Sequence, residues 1–263
     1  MSDRALQDDV IRALADAPYR ESAAWRARGL ADPERVERFA RFLARHFYYE
    51  RVVHFFKYSR ALAGVTGRTP EAVLTRPGFE DLVPSIVLGS RQTARAVAQL
   101  VVTHVGDAGA AIPYLGDLLQ YEAAMMVVEA GPRIWRDGPE GKDGGAGSGE
   151  RSAPERVEGT VLLELAYDLP VVLPQLLRPW SDVPQAPARS TSLLVARSPH
   201  GRVAVARSTD AVAALLRLAD GRKTLAQVAH AAGLEVRELE QTLHGLVELG
   251  AVRFSTGDRK SVV

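Results

Sequence analysis

The stretch from Thr191 to Phe254 constrains the fold more than any other, because nearly every residue class in it carries a local structural instruction. Leu193 and Val195 alternate with Leu194 and Ala196, Pro199-His200-Gly201 supplies turn chemistry, and Val203 and Val205 alternate with Ala204 and Ala206, which predicts a β-hairpin. Ser208, Thr209 and Asp210 offer capping oxygens for a helix carrying Val212, Leu215, Leu216 and Leu218, and Gly221 stops it. Thr224 caps a second helix that ends at Gly233, and Glu235 to Leu249 carries Val236, Leu239, Leu243, Leu246 and Val247 at helical spacing. Ala251 to Ser255 reads as a short strand able to return to the hairpin. These are the elements of a winged-helix-like module, with its second and third helices as a helix-turn-helix.

That architecture serves two functions, reading DNA or receiving a peptide on the hairpin edge. A helix that enters a DNA groove carries basic and amide side chains toward bases and phosphates. The third helix instead holds Glu235, Glu238, Glu240 and Glu248 against one Arg237, a face that repels phosphate, while Arg197, Arg202, Arg207 and Arg217 sit on the hairpin and first helix. The pattern favours a positive edge that accepts an extended, acidic peptide as an added strand. The alternative is a winged-helix transcriptional regulator.

The rest of the chain reads as helical up to a Gly-rich break. Arg4 to Ala15 and Glu21 to Leu30 are short amphipathic helices, and Asp32-Pro33-Glu34 starts a long one whose periodicity runs to Leu62. His46, Glu50 and His54 fall at i, i+4 and i+8 on that helix, but no Glu-x-x-His motif is present, as di-metal bundles require. Glu50 and His54 are therefore read as a buried pair or a partner-facing one. Tyr48, Tyr49, Phe55 and Phe56 make the helix aromatic on more than one side. Helices follow from Thr69, from Gly89 to Val105, and from Pro113 through Met126 to Gly131-Pro132. Residues 136–156 are Gly-rich, charged and aperiodic, with no phosphate-binding loop. Gly159 to Ala166 reads as a strand for the hairpin sheet, and Tyr167 to Leu177 as a turn and a helix interrupted by Pro170 and Pro174.

The expected fold class is α+β, with an N-terminal all-helical bundle over 1–133, a linker over 134–156 and a winged-helix-like domain over 157–258. The 263 residues, 46% apolar and 25% charged, suit two domains, and a formal net charge of +1 disfavours a nucleic-acid-coating protein. Without cysteine there is no disulfide, thiolate nucleophile or Cys-ligated metal. The polar start and the lack of a long apolar run predict neither signal peptide nor membrane span, hence a cytoplasmic protein.

The segment Pro113-Tyr114-Leu115-Gly116-Asp117-Leu118, followed by Glu122, resembles the PYLxDLxxxE signature of partner proteins of multinuclear non-heme iron-dependent oxidases. It departs from that family at Ala123, where Trp is common. Leu193-Leu194-Val195-Ala196-Arg197 with Gly201-Arg202-Val203 resembles the hairpin of the same family's C-terminal domain. The resemblance implies a non-catalytic accessory protein that binds the leader of a ribosomally made precursor peptide through a recognition-element-like domain and presents it to the oxidase. It implies no cofactor in this chain, the iron belonging to the oxidase. The expected peptide-binding residues are Arg202, Val203, Val205 and Arg207, with Leu215 and Leu216 lining a pocket. The expected oxidase-facing residues are Tyr114, Asp117, Tyr121 and Glu122 from the motif, and Tyr49 and Phe56 from the aromatic helix.

Overall fold

The computed structural model describes residues 3–29, 32–108, 112–130 and 153–255, so most of the expected linker lies outside the described residues. The chain is a mixture of helices and small antiparallel sheets that divides into two units. The first comprises residues 1–130 together with Tyr167–Ala188, and the second comprises 131–166 together with 189–263.

The first unit opens with α1 (Asp3–Ala15), α2 (Ala17–Arg20) and α3 (Ala23–Arg26). Asp16 and Ser22 cap the last two by accepting the N–H groups of Tyr19 and Trp25, and Ala13, Tyr19 and Trp25 bury together against Val10 and Val36. The helix α4 (Pro33–Phe55) starts at the Asp32 cap as expected, and buries Ala40, Ala44, Tyr48, Val52 and Phe55. It stops at Phe56 instead of running to Leu62. The chain restarts as α5 (Lys57–Ala61) and α6 (Ala63–Thr66), because the N–H groups of Tyr58 and Ser59 leave the helical ladder to donate to the Glu122 carboxylate. A 3-10 segment (Pro70–Thr75), α7 (Pro77–Leu82) and a second 3-10 turn (Val83–Ser85) lead to α8 (Arg91–Gly106) and α9 (Leu115–Glu129), which pack on one another.

The proline-rich stretch after Ala166 belongs to this first unit, not to the second. It forms α10 (Leu169–Leu176), which accommodates Pro174 within the helix and packs on α5. Two side chains of α9 and its cap hold the segment: Asp117 Oδ2 accepts the Tyr167 N–H at 2.9 Å, and the Tyr114 hydroxyl donates to the Pro184 carbonyl at 2.7 Å.

In the second unit, β1 (Ala153–Arg156) pairs antiparallel with the C-terminal strand, and β2 (Val161–Leu165), β3 (Thr191–Arg197) and β4 (Val203–Ser208) form a three-stranded sheet with β3 central. The helices α11 (Asp210–Leu218), α12 (Leu225–Ala232) and α13 (Val236–Glu248) follow, then β5 (Val252–Ser255). Thr209 caps α11, and Thr224 with Gln227 makes a reciprocal capping box on α12, so the local signals act where they stand. The core joins Leu194 and Ala196 of β3 to Leu215, Leu216, Val228, Leu239, Leu243 and Leu246. The last strand departs from expectation. β5 pairs with β1 instead of the hairpin, and β1 is held on its other side by the Arg156 N–H to Ala219 carbonyl and Gly221 N–H to Pro154 carbonyl bonds. The end of the expected linker is thus a strand.

No helix among the described residues is long and apolar enough to cross a membrane.

Candidate functional site

The hairpin edge is built from its turn. Ser198-Pro199-His200-Gly201 closes with the Gly201 N–H on the Ser198 carbonyl at 2.8 Å, and the next bond runs from the Ser198 N–H to the Arg202 carbonyl at 2.8 Å. Gly201 has φ +79°, so Gly201 and Arg202 together oppose Ser198 as a bulge, which a residue with a Cβ adopts only under strain. That bond fixes the phase of the ladder. Because antiparallel residues alternate between bonding toward and away from their neighbour, Ala204, Ala206 and Ser208 turn their N–H and C=O groups to β3. Val203, Val205 and Arg207 turn theirs outward.

No further strand pairs with β4 among the described residues, so the outward groups of Val203 and Val205 form an open pair of rungs next to the bulge. The side chains also divide. Opposed residues of neighbouring antiparallel strands share a face, and Leu194 and Ala196 oppose Ala206 and Ala204 on the side of the helices. Val203, Val205 and Arg207 therefore lie on the other side, with Arg197, Val195 and Leu193 across from them. Val203 is half-buried and Val205 is 36% exposed, while Arg202 and Arg207 are exposed.

Leu215 and Leu216 do not line this surface. They are 1% and 4% exposed in the core on the opposite face of the sheet, so the six expected peptide-binding residues are not brought to one place. What the edge offers on the helix side is the small Ala204 and Ala206. On α13, Glu238, Glu240 and Glu248 are exposed while Leu239, Leu243 and Leu246 face the core, so the acidic surface expected from the sequence is the solvent face.

The motif residues in the helical unit are mostly internal. Tyr114, Tyr121 and Phe56 are 1%, 7% and 0% exposed, and half-buried Asp117 spends one carboxylate oxygen on the Tyr167 N–H. Glu122 is fully buried and caps α5: its Oε1 accepts the N–H groups of Tyr58 at 2.7 Å and Ser59 at 3.2 Å, and its Oε2 accepts the Ser59 hydroxyl. Burial pushes its pKa up to about 8 against the opposing pull of those three donors. These side chains brace the helical unit and leave little of their surface in solvent. Of the expected oxidase-facing set, Tyr49 alone is well exposed, at 45%.

The expected buried Glu50–His54 pair is not formed. Glu50 is exposed and pairs with His46 at 3.3 Å, while His54 is exposed with its ring edge on Phe55. No group of three His, Cys, Asp or Glu side chains among the described residues is arranged to hold a metal ion. The outer face of α4 instead carries Phe39 and Phe42, 49% and 62% exposed, which reading the sequence missed. Their rings stack at 6.3 Å, and Phe42 stacks on His46 at 6.1 Å. The available signal was spacing: Phe39, Phe42, His46 and Tyr49 recur at three- and four-residue steps opposite the core stripe.

Neither protein-family models nor curated proteins match this chain.

Proposed function

We propose that this chain binds an extended peptide by adding it to the sheet as a strand beside β4. In this reading it acts as the non-catalytic partner of an iron-dependent oxidase that modifies the peptide. The observation that carries the peptide reading is the outward-facing N–H and C=O set of Val203 and Val205 on an end strand. Unpaired strand edges are liabilities that proteins ordinarily block with charge, proline or cover, and this one places a valine at its centre. Main-chain bonds to such an edge supply affinity for an extended chain whatever its composition, and side chains set the register. The exposed Arg202 side chain favours acidic residues in the incoming segment.

The oxidase partnership rests on the sequence resemblance around Tyr114 to Glu122 and Leu193 to Val203. A winged-helix regulator remains the competing reading, and the exposed glutamates of α13, the helix that would enter the groove, weigh against it. The test is co-expression with the reading frames beside its gene, among which this reading expects an oxidase and a precursor peptide, followed by purification. Co-elution of the three, with the peptide lost on Val205→Pro and the oxidase retained, supports both parts. A protein that ignores the peptide and binds duplex DNA with a steep salt dependence overturns them.

A further inference from the structure

The exposed aromatic face of α4 has no role in the strand-addition reading, and its pattern is specific. Arg35, Phe39, Phe42, His46, Tyr49 and Val53 stand four, three, four, three and four residues apart, the spacing of a coiled-coil seam on a helix whose core residues lie on the other side. Phe39, Phe42 and Tyr49 together leave a contiguous aromatic strip in solvent, which marks an interaction surface more than a solvated face.

We propose that this strip is a self-association surface, on which two copies of the chain pack their α4 helices antiparallel about a two-fold axis at the level of Ala44. In an antiparallel seam, residues equidistant from the axis meet in layers. Phe42 of one copy then meets His46 of the other, Phe39 meets Tyr49, and Arg35 meets Val53. Every layer occurs twice, as an isologous contact requires.

Charge selects this direction over the parallel one. The N-terminal end of the strip holds Arg35, exposed, whose backbone N–H caps on Asp32 and whose guanidinium meets no carboxylate among the described residues, and Arg38, exposed and 3.5 Å from Glu34. The opposite end holds the exposed Glu50, one oxygen of which lies 3.3 Å from His46 of its own helix and the other of which is left for a partner. Antiparallel packing carries Arg35 of each copy toward Glu50 of the other, whereas parallel packing sets Arg35 on Arg35 and Glu50 on Glu50. Arg45, which meets its own counterpart beside the axis, already holds the Glu80 carboxylate.

The test is sedimentation velocity on the full chain at high micromolar concentration. A dimer is expected, with Phe42→Glu monomeric and its thermal unfolding unchanged, since Phe42 is mostly exposed. Arg35→Glu and Glu50→Arg are each expected to weaken the dimer roughly tenfold, and the double variant to restore it. A monomeric wild-type chain, a dimer that survives Phe42→Glu, or a double variant no tighter than the single ones overturns the proposal. If the wild-type chain is monomeric and Phe42→Glu instead abolishes retention of a co-expressed oxidase, the strip belongs to a foreign protein.

Discussion

Ser198 and Arg202 face each other across the hairpin turn, the Ser198 N–H donating to the Arg202 carbonyl at 2.8 Å, and this one bond decides which half of β4 bonds inward and which half is left facing out. A ladder shifted by one residue would expose the backbone of Ala204 and Ala206 and turn the valines into the core. The bulge at Gly201 therefore determines both the register and the open edge.

Two proline substitutions one residue apart test that phase. Val205→Pro removes an N–H that no strand among the described residues uses, so it should cost less than about 1 kcal/mol in stability. Ala206→Pro removes a bond to β3 and should cost on the order of 3 kcal/mol. Chemical denaturation of the two variants distinguishes them, and equal costs would mean that the ladder runs in the other phase.

Gly250 sits against the end of β3. Its φ is +77°, and a Cβ added there would lie 2.0 Å from the Arg197 carbonyl oxygen, a backbone atom that cannot step aside. Gly250→Ala should destabilise the second unit by more than about 2 kcal/mol. Gly233, at φ +65° with nothing within 4 Å of the added carbon, bears the left-handed strain alone, so Gly233→Ala should cost about 1 kcal/mol. Thermal unfolding of both variants measures the difference.

The buried Glu122 makes the helical unit sensitive to pH. Its pKa rises on folding from the ordinary 4.5 to about 8, so the folded state holds the proton more tightly than the unfolded chain does. The resulting stabilisation is whole below 4.5 and is lost as pH rises through 8, at up to roughly 1.4 kcal/mol per pH unit. Glu122→Gln, which cannot ionise, should unfold with a flatter pH dependence over that interval. A wild-type chain that gains stability across it would show that the donors from Tyr58 and Ser59 outweigh burial.

Tyr114→Phe deletes the hydroxyl that holds the Pro184 carbonyl and should cost about 1 kcal/mol. Its readout is local: limited proteolysis should cut between Leu177 and Ala188 sooner in the variant, with the remaining sites unaffected.

Which parts of the structure could be read in advance follows from how far their causes lie along the chain. The hairpin, the Thr209 and Thr224 caps and the core face of α13 are set by residues within four positions, and the sequence displays them. The break at Phe56 is caused by Glu122, more than sixty residues away, and the apolar periodicity continues through it without a mark. The segment 167–188 looks like a proline-rich connector until Asp117 and Tyr114 are seen to hold it. β5 was legible as a strand, but its partner β1 sits at the end of a Gly-rich run that carries no strand signal of its own. The buried Tyr114 and Glu122 show why a motif alone does not separate a docking surface from an internal brace.

Residue-resolved amide exchange on the full chain, with and without the precursor peptide, tests strand addition most directly. Added as a strand beside β4, the peptide should slow exchange at Val203 and Val205, and leave Ala204 and Ala206, already bonded to β3, nearly unchanged. Peptide-induced protection confined to α13, or binding with no slowing at those two amides, would contradict it.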